Sequence, residues 1–112
     1  KIITHLQIEP IKAPQKISFP LGLIINEWIT NSVKYARPAS GALEIKIEIT
    51  NGNEKIKINY ADNGRPQVTK PEKKSLGLDI VNILTQQLDG TLETHSQNIF
   101  NYILTIPINN GE

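Results

Sequence analysis

The chain has 112 residues, 38% of them hydrophobic and 21% charged, a composition typical of one globular domain with its own hydrophobic core. A net charge of +1 argues against binding to nucleic acid or to an anionic membrane. The absence of cysteine excludes disulfides, thiolate metal sites and a cysteine nucleophile. No apolar run is long enough for a transmembrane helix or a signal peptide, so we expect a cytoplasmic domain, residues 1–112, cut from a larger protein.

The first third of the chain predicts a strand, a loop and a long helix. Lys1 to Glu9 is predicted to be a short strand, and the two prolines in Pro10 to Lys16 indicate a loop. Phe19 to Ala36 is the strongest helix prediction, with Ser18 as its cap and Pro20 near its start. The Arg-Pro pair that follows ends the helix, because the residue before proline avoids the helical region.

Two alternating strands come next. Aliphatic residues alternate with charged or polar ones from Leu43 to Thr50, and a similar alternation runs from Lys55 to Tyr60. This period of two predicts strands with one buried and one solvent-facing side. Asn51-Gly52 between them is a hairpin signal. The polar segment from Asn63 to Lys74 is predicted to be a loop.

The last third predicts a second helix and a second hairpin. The helix should run from Leu76 to Leu88 and end at Asp89-Gly90, with the glycine in the left-handed cap position. Thr91 to Ser96 and Ile99 to Ile106 form the hairpin. The whole order predicts an α/β two-layer sandwich, in which a mixed, mostly antiparallel sheet carries both helices on one face.

One face of the first helix collects polar side chains. At about 100° per residue, Glu27, Asn31, Lys34, Asn26 and Thr30 fall within roughly a 140° arc. The apolar positions predicted to pack on the sheet are Leu21, Ile25, Trp28, Ile29, Val33 and Ala36. Carboxylate and amide oxygens suit magnesium when phosphate is also present, and a lysine one turn later suits phosphate charge. The alternative is an amphipathic helix with an ordinary solvated face.

Two further segments carry candidate residues. Asp62 lies at a strand end, where its carboxylate could accept a hydrogen bond from the exocyclic amine of adenine, and Gly64 would let a flat ligand approach. A simple Asx turn is the alternative. Ser75-Leu76-Gly77-Leu78 opens the second helix, where free N–H groups form an anion site. Ordinary packing is the alternative there.

The order and spacing of these segments resemble the GHKL superfamily, which covers histidine kinases, DNA gyrase, a heat-shock chaperone and mismatch-repair ATPases. The run from Pro20 to Ala36 is similar to the N box of one histidine kinase subgroup, where Asn-Glu-Leu-x-Thr-Asn-Ala-x-Lys-Tyr/His-Ala is typical. Here Trp28 replaces the leucine and Ser32 the alanine. Asp62-Asn63-Gly64 resembles the first glycine box, and Ser75 to Leu92 resembles the second.

The resemblance implies the ATP-binding catalytic domain of a sensor histidine kinase, with a Bergerat-type fold that holds ATP and Mg²⁺ under a lid at Arg65 to Lys74. Asn31 would bind the magnesium ion, Asp62 the adenine amine, and Gly64 would admit the adenine. Glu27 matches the base of the ATPase relatives, and in a kinase it would help polarise the acceptor histidine. The implied catalytic residues are Glu27 and Asn31, and the implied nucleotide-binding residues are Asn31, Lys34, Tyr35, Asp62, Gly64, Gly77 and Leu78.

The partners implied by the resemblance are an upstream dimerisation domain that carries the phosphoacceptor histidine and a response regulator. Contact with nucleic acid or directly with a membrane is not expected. His5 and His95 both fall in predicted strands, so we expect structural or solvent-facing roles for them. The acceptor helix is therefore expected upstream of this segment.

Arg65-Pro66 stands where the usual Asp-x-Gly-x-Gly pattern has its second glycine. Because proline fixes φ and lacks an N–H, we expect a lid with a fixed path and weak, salt-sensitive ATP binding through Lys70, Lys73 and Lys74. The alternative for Arg65-Pro66 itself is a neutral loop change. One alternative is a degenerate module that docks a response regulator or a partner kinase without catalysis. A second is a serine kinase of the anti-sigma type, which the Asn26-Glu27 start of the N box disfavours.

Overall fold

The computed structural model describes residues 1–39, 41–52, 54–64, 76–94 and 101–108, and these form five strands and two helices. Their order agrees with the order predicted from the sequence. The elements are β1 (Ile2–Ile8), α1 (Gln15–Tyr35), β2 (Leu43–Gly52), β3 (Lys55–Asp62), α2 (Leu76–Gln87), β4 (Thr91–Thr94) and β5 (Asn101–Pro107). The predicted lid and the tip of the last hairpin lie outside the described residues.

The strands form one sheet in the order β1-β2-β3-β5-β4. β1 pairs with β2 in parallel, and the remaining neighbours are antiparallel. The parallel pair follows from the chain path, because α1 lies between β1 and β2 and carries the chain across the sheet. The predicted fold class, a mixed and mostly antiparallel sheet covered by helices, is confirmed.

The aliphatic residues that alternate along the strands form the core. On β2 the aliphatic residues from Leu43 to Ile49 are buried at every second position, and β3 buries Ile56, Ile58 and Tyr60 in the same way. α1 packs against α2 and β2, and α2 also contacts β4. Trp28 of α1 stacks on Tyr102 of β5 with ring centroids 4.9 Å apart. The strand faces were therefore predictable from the period of two alone.

α1 begins four residues earlier than predicted. Pro14 occupies the cap position, and its carbonyl accepts the N–H groups of Ile17 and Ser18 at 2.9 and 3.1 Å. The prediction of Ser18 as cap was therefore wrong, and Pro20 lies inside the helix. Its missing N–H leaves only the carbonyl of Lys16 without a helical donor. Because Lys16 is exposed, water can satisfy that carbonyl.

Two predicted turns also differ in detail. Gly52 remains in β2 and pairs with Lys55, so the hairpin turn lies after Asn51-Gly52, and Glu54 takes the left-handed conformation with φ of 61°. At the end of α2 the left-handed residue is Asp89 with φ of 54°, not Gly90. Gly90 is required for close approach instead, since a Cβ there would lie 3.2 Å from the carbonyl oxygen of Thr105.

Candidate functional site

A buried hydrogen-bond network joins the end of β3 to the last turns of α1. Ser32 of α1 is fully buried, and its Oγ lies 2.6 Å from Asp62 Oδ2 and 2.6 Å from the Tyr60 hydroxyl. The Tyr60 hydroxyl also lies 3.0 Å from the carbonyl oxygen of Trp28. Asp62 is only 4% exposed, so its carboxylate is held among protein groups rather than in open water.

The second oxygen of Asp62 accepts a local backbone bond. Gly64 N donates to Asp62 Oδ1 at 2.9 Å, which is the Asx contact that the sequence offered as an alternative. A carboxylate has about four lone-pair positions, and these two bonds leave about half of them open. The Asx contact and a ligand-binding role are therefore compatible on the same side chain.

Gly64 lies against the end of α1. A Cβ at this position would lie 3.0 Å from Asp62 Oδ1, 3.1 Å from the Ala36 Cβ and 3.3 Å from the Ala36 Cα. Gly64 also forms an isolated antiparallel bridge with Pro38. Because Gly64 has no side chain, the end of β3 can lie close to the end of α1, and the space beside the Asp62 carboxylate stays clear.

Asn63 fixes the chain between these two residues. Its Oδ1 accepts the N–H of Glu44 at 2.8 Å, and its Nδ2 donates to the carbonyl of Ala42 at 3.1 Å. The Asn63 N–H donates to the carbonyl of Glu44 at 3.1 Å. These bonds extend the β2–β3 pairing by one residue and hold Asp62 and Gly64 in fixed positions.

Burial and charge act on the two tyrosines of the network. Burial is the main cause that raises the pKa of Tyr60 above its usual range, and the Asp62 charge raises it further, although the bond to Ser32 opposes the change. Burial, followed by the Asp62 charge, also raises the pKa of Tyr102. Both phenols therefore stay protonated at neutral pH, and Tyr60 keeps a proton to donate.

The other predicted site residues of α1 are Glu27, Asn31 and Lys34 from the polar arc, and Tyr35, which only the resemblance assigns to the site. Glu27 and Asn31 are half-buried, whereas Lys34 and Tyr35 are exposed. The prediction of Val33 on the packed face was wrong, since Val33 is 47% exposed. The buried stripe of α1 instead consists of Ile17, Leu21, Ile24, Trp28 and Ser32.

Gly77 and Leu78 lie in the first turn of α2, as the second glycine box predicts. His5 lies in β1 on the exposed face and contacts Glu44 at 3.0 Å, consistent with a solvent-facing role. His95 lies outside the described residues. A groove of about 390 Å³ at the opposite end of α1, beside Lys16, contains none of the predicted site residues.

Within the described part of the chain, no three His, Cys, Asp or Glu side chains cluster as a ready metal site. A magnesium ion at Asn31 would therefore need ligands from a bound phosphate, which suits an ion that retains water and phosphate oxygens. Neither described helix is long and apolar enough to cross a bilayer.

No protein-family model matches this chain. No curated protein matches it either. Solved structures do, including the histidine kinase domain from the Erythrobacter litoralis EL346 blue-light activated histidine kinase, with a TM-score of 0.81 and 21% identity over 96% of this chain and 55% of that chain. The Acinetobacter baumannii histidine kinase AdeS matches with a TM-score of 0.76 and 19% identity, over 98% of this chain and 56% of that one.

The fold is that of histidine kinase catalytic domains. The catalytic domain of histidine kinase ThkA matches at a TM-score of 0.68 and 16% identity, over 95% of this chain and 78% of that one. The chain spans about half the length of the Erythrobacter and Acinetobacter structures. All three identities are low, so these likenesses establish the histidine kinase catalytic fold and leave the individual residues to be judged on their own geometry.

Two residues of the network were not predicted as site residues. Ser32 was noted only as a replacement for alanine, and Tyr60 only as part of a strand. The sequence did contain a signal for both Ser32 and Tyr60. Ser32 continues the spacing of the buried stripe, and a buried tyrosine usually finds a hydrogen-bond partner for its hydroxyl.

Proposed function

We propose that this chain is the ATP-binding catalytic domain of a two-component sensor histidine kinase, of the subgroup whose N box reads Asn-Glu-x-x-Thr-Asn. The observation that carries the proposal is the buried carboxylate of Asp62, held from two sides at the end of β3 in a histidine kinase catalytic fold. A carboxylate that is fixed, desolvated and only partly satisfied is suited to bind one specific donor.

The geometry around Asp62 fits adenine. The two bonds from Ser32 and Gly64 use about half of the acceptor capacity of the carboxylate, and the rest would accept the exocyclic amine. Guanine carries a carbonyl oxygen at that ring position, and a carboxylate would repel it. Gly64 keeps the adjacent space free of a side chain.

The polar side of α1 fits the phosphate end of the nucleotide. Glu27 and Asn31 are half-buried and one helical turn apart, and Lys34 and Tyr35 are exposed on the following turn. Asn31 would supply an oxygen ligand to Mg²⁺, Lys34 a positive charge and Tyr35 a further polar contact. Gly77 and Leu78 would border the phosphates at the start of α2, where the first N–H groups of any helix have no acceptor within the helix itself.

Bound ATP with Mg²⁺ would supply the γ-phosphoryl group and neutralise its charge. Asn31 and Glu27 would hold and orient the reacting groups, with Glu27 polarising the incoming histidine. The acceptor histidine would belong to a separate dimerisation domain, and a response regulator would receive the phosphoryl group from it. A cytoplasmic location of this domain is part of the same proposal.

Calorimetric titration of the domain with Mg²⁺-ATP and Mg²⁺-GTP tests the adenine assignment. We expect binding of ATP in preference to GTP, and a loss of about ten- to a hundredfold in ATP affinity for Asp62→Asn, because a charged hydrogen bond is removed. Asp89→Asn is the matched control, since asparagine also tolerates the left-handed conformation of that residue. Equal ATP affinity in Asp62→Asn and the parent would remove Asp62 from the site.

The second candidate function is a docking module that has lost ATP binding. Arg65-Pro66 in place of the second glycine favours it, because proline restricts the start of the lid. The same titration at low and high salt separates the candidates. No ATP binding at any salt, in a folded protein, would support the docking module, whereas weak binding that salt reduces further would support a kinase with a restricted lid.

A further inference from the structure

The buried network has two hydroxyl protons, one on Ser32 and one on Tyr60, for three contacts. Ser32 has one hydroxyl proton, and it points to Asp62 Oδ2, because an ionised carboxylate can only accept. The 2.6 Å contact between Ser32 and Tyr60 therefore needs the proton of Tyr60. The relay runs from the Tyr60 hydroxyl to Ser32 Oγ and then to Asp62.

The Tyr60 hydroxyl has a second acceptor, the carbonyl of Trp28, to which it donates at 3.0 Å. That carbonyl has two lone pairs, so the helical N–H of Ser32 does not exclude this bond. The single Tyr60 proton is therefore shared between Trp28 and Ser32 Oγ, the nearer acceptor at 2.6 Å. Ser32 Oγ, which is fully buried, has no other donor within the described residues, so the Tyr60 contact leaves the Ser32 proton for Asp62.

We propose that Tyr60 and Ser32 are positioning residues that aim the Asp62 carboxylate at the adenine amine and so set the preference of the site for adenine over 6-oxopurines. This inference rests on the proposed function and deepens it. Neither side chain needs to touch the nucleotide. Both act through Asp62, which without them would keep, among the described residues, the bond from the Gly64 N–H.

The inference predicts a selective effect on base recognition. When the Ser32 hydroxyl is removed, Oδ2 loses its donor and the carboxylate gains freedom to rotate about its bond to Gly64 N. Binding of a base that donates to Asp62 should then weaken. Binding of a 6-oxopurine should not weaken, because the phosphate contacts on α1 are untouched and a less fixed carboxylate repels the ring oxygen no more than before.

ATP and ITP are suitable probes, since hypoxanthine has an oxygen where adenine has its amine and the two nucleotides are otherwise closely alike. The affinity of each is measured by calorimetry with Mg²⁺ for the parent, Ser32→Ala and Tyr60→Phe. We expect ATP affinity to fall about three- to tenfold in both variants, less than for direct loss of the carboxylate, while ITP affinity does not fall. The ATP-to-ITP ratio should therefore fall in both.

Thr85→Val is the matched control. Thr85 is another buried hydroxyl, and it donates to the carbonyl of Val81 within α2 and not to the Asp62 network. Its removal should leave the ATP-to-ITP ratio at the parent value. In the Asp62→Asn background, Ser32→Ala should produce no further loss of ATP affinity, because residues that act through one group are not additive.

The unsubstituted domain, called the parent here, is titrated first. If it is folded and binds neither ATP nor ITP, the proposed function itself is wrong. If the parent prefers ATP and the ratio is unchanged in Ser32→Ala and Tyr60→Phe, only the positioning roles are overturned. Equal losses of affinity for ATP and ITP would show that the Ser32 and Tyr60 hydroxyls stabilise the domain as a whole, and would contradict the inference. Failure of both variants to fold, seen by circular dichroism, would contradict it in the same way.

Discussion

Asn31 is the residue on which the proposed magnesium site depends most. It is half-buried on α1, outside the buried stripe, so its side chain can be removed without opening a core cavity. We expect Asn31→Ala to fold with unchanged stability and to bind nucleotide with an affinity that no longer depends on Mg²⁺. Calorimetry with magnesium and with a chelator measures the dependence.

Asn26→Ala is the control for this substitution. Asn26 lies on the same helix and is exposed, and only its backbone carbonyl is used, by the Thr30 hydroxyl at 2.8 Å. Its removal should leave the magnesium response intact. A folded Asn31→Ala protein with the parent response would exclude Asn31 from the metal site, and an unfolded one would indicate a structural role.

The sequence singled out Asp62, the proposed adenine acceptor, but not the side chains that hydrogen-bond with it or near it. Asp62 and Gly64 form a short local motif, so their spacing alone places them together. Ser32 and Tyr60 approach Asp62 only through the packing of α1 on the sheet, across 28 to 30 residues of chain. Such a contact depends on the rotation of the helix, and the predicted packing face included Val33 in place of Ser32.

At the scale of elements, the junction of β3 with α1 depends on Gly64. A Cβ there would lie 3.1 Å from the Ala36 Cβ and 3.0 Å from the Asp62 carboxylate, so in Gly64→Ala these neighbours have to shift by a few tenths of an ångström. We expect a loss of about 1–3 kcal/mol in the free energy of unfolding, the range for overpacking, and weaker ATP binding. Denaturant unfolding and calorimetry measure the two effects.

Gly22→Ala is the matched control in the same helix. A Cβ at Gly22 would meet no atom within 4 Å, and the position is exposed inside α1. Alanine should therefore stabilise the protein by about 0.5–1 kcal/mol through helix propensity. A stable Gly64→Ala protein that binds ATP normally would show that the junction tolerates a side chain.

The sequence predicted some elements better than others. β2 and β3 were predicted well, because alternation with a period of two shows which face of each strand is buried. The start of α1 was missed because Pro14 acts as cap through its carbonyl, which has no side-chain signature. At the end of α2, Asp89 takes the left-handed conformation. Gly90 has little room for a side chain, because the backbone of Thr105 on β5 lies close to it. That requirement appears only in the tertiary structure.

For the whole molecule, the proposed function predicts that residues 1–112 do not phosphorylate themselves. The chain has two histidines, and His5 lies in a strand where it pairs with Glu44. Neither is expected to act as acceptor. Incubation with γ-labelled ATP should leave the domain unlabelled, because the acceptor helix is expected in another part of the kinase.

The positive control adds the dimerisation domain that the proposed function requires. With that domain present, an acid-labile label should form on one of its histidines, and Asn31→Ala should abolish the labelling. Stable labelling of His5 or His95 in residues 1–112 would contradict the separation of acceptor and catalytic domain.

The stacking of Trp28 on Tyr102 has a practical consequence for work on this domain. Trp28 is the single tryptophan of the chain, it is 1% exposed, and its ring lies 5.4 Å from that of Tyr60. The protein thus contains one indole fluorophore beside its three tyrosines, and this indole lies in the core next to the network that ends at Asp62. Its emission can follow both unfolding and occupation of the proposed site at Asp62 in one sample, without a dye and without a second indole to separate from the signal.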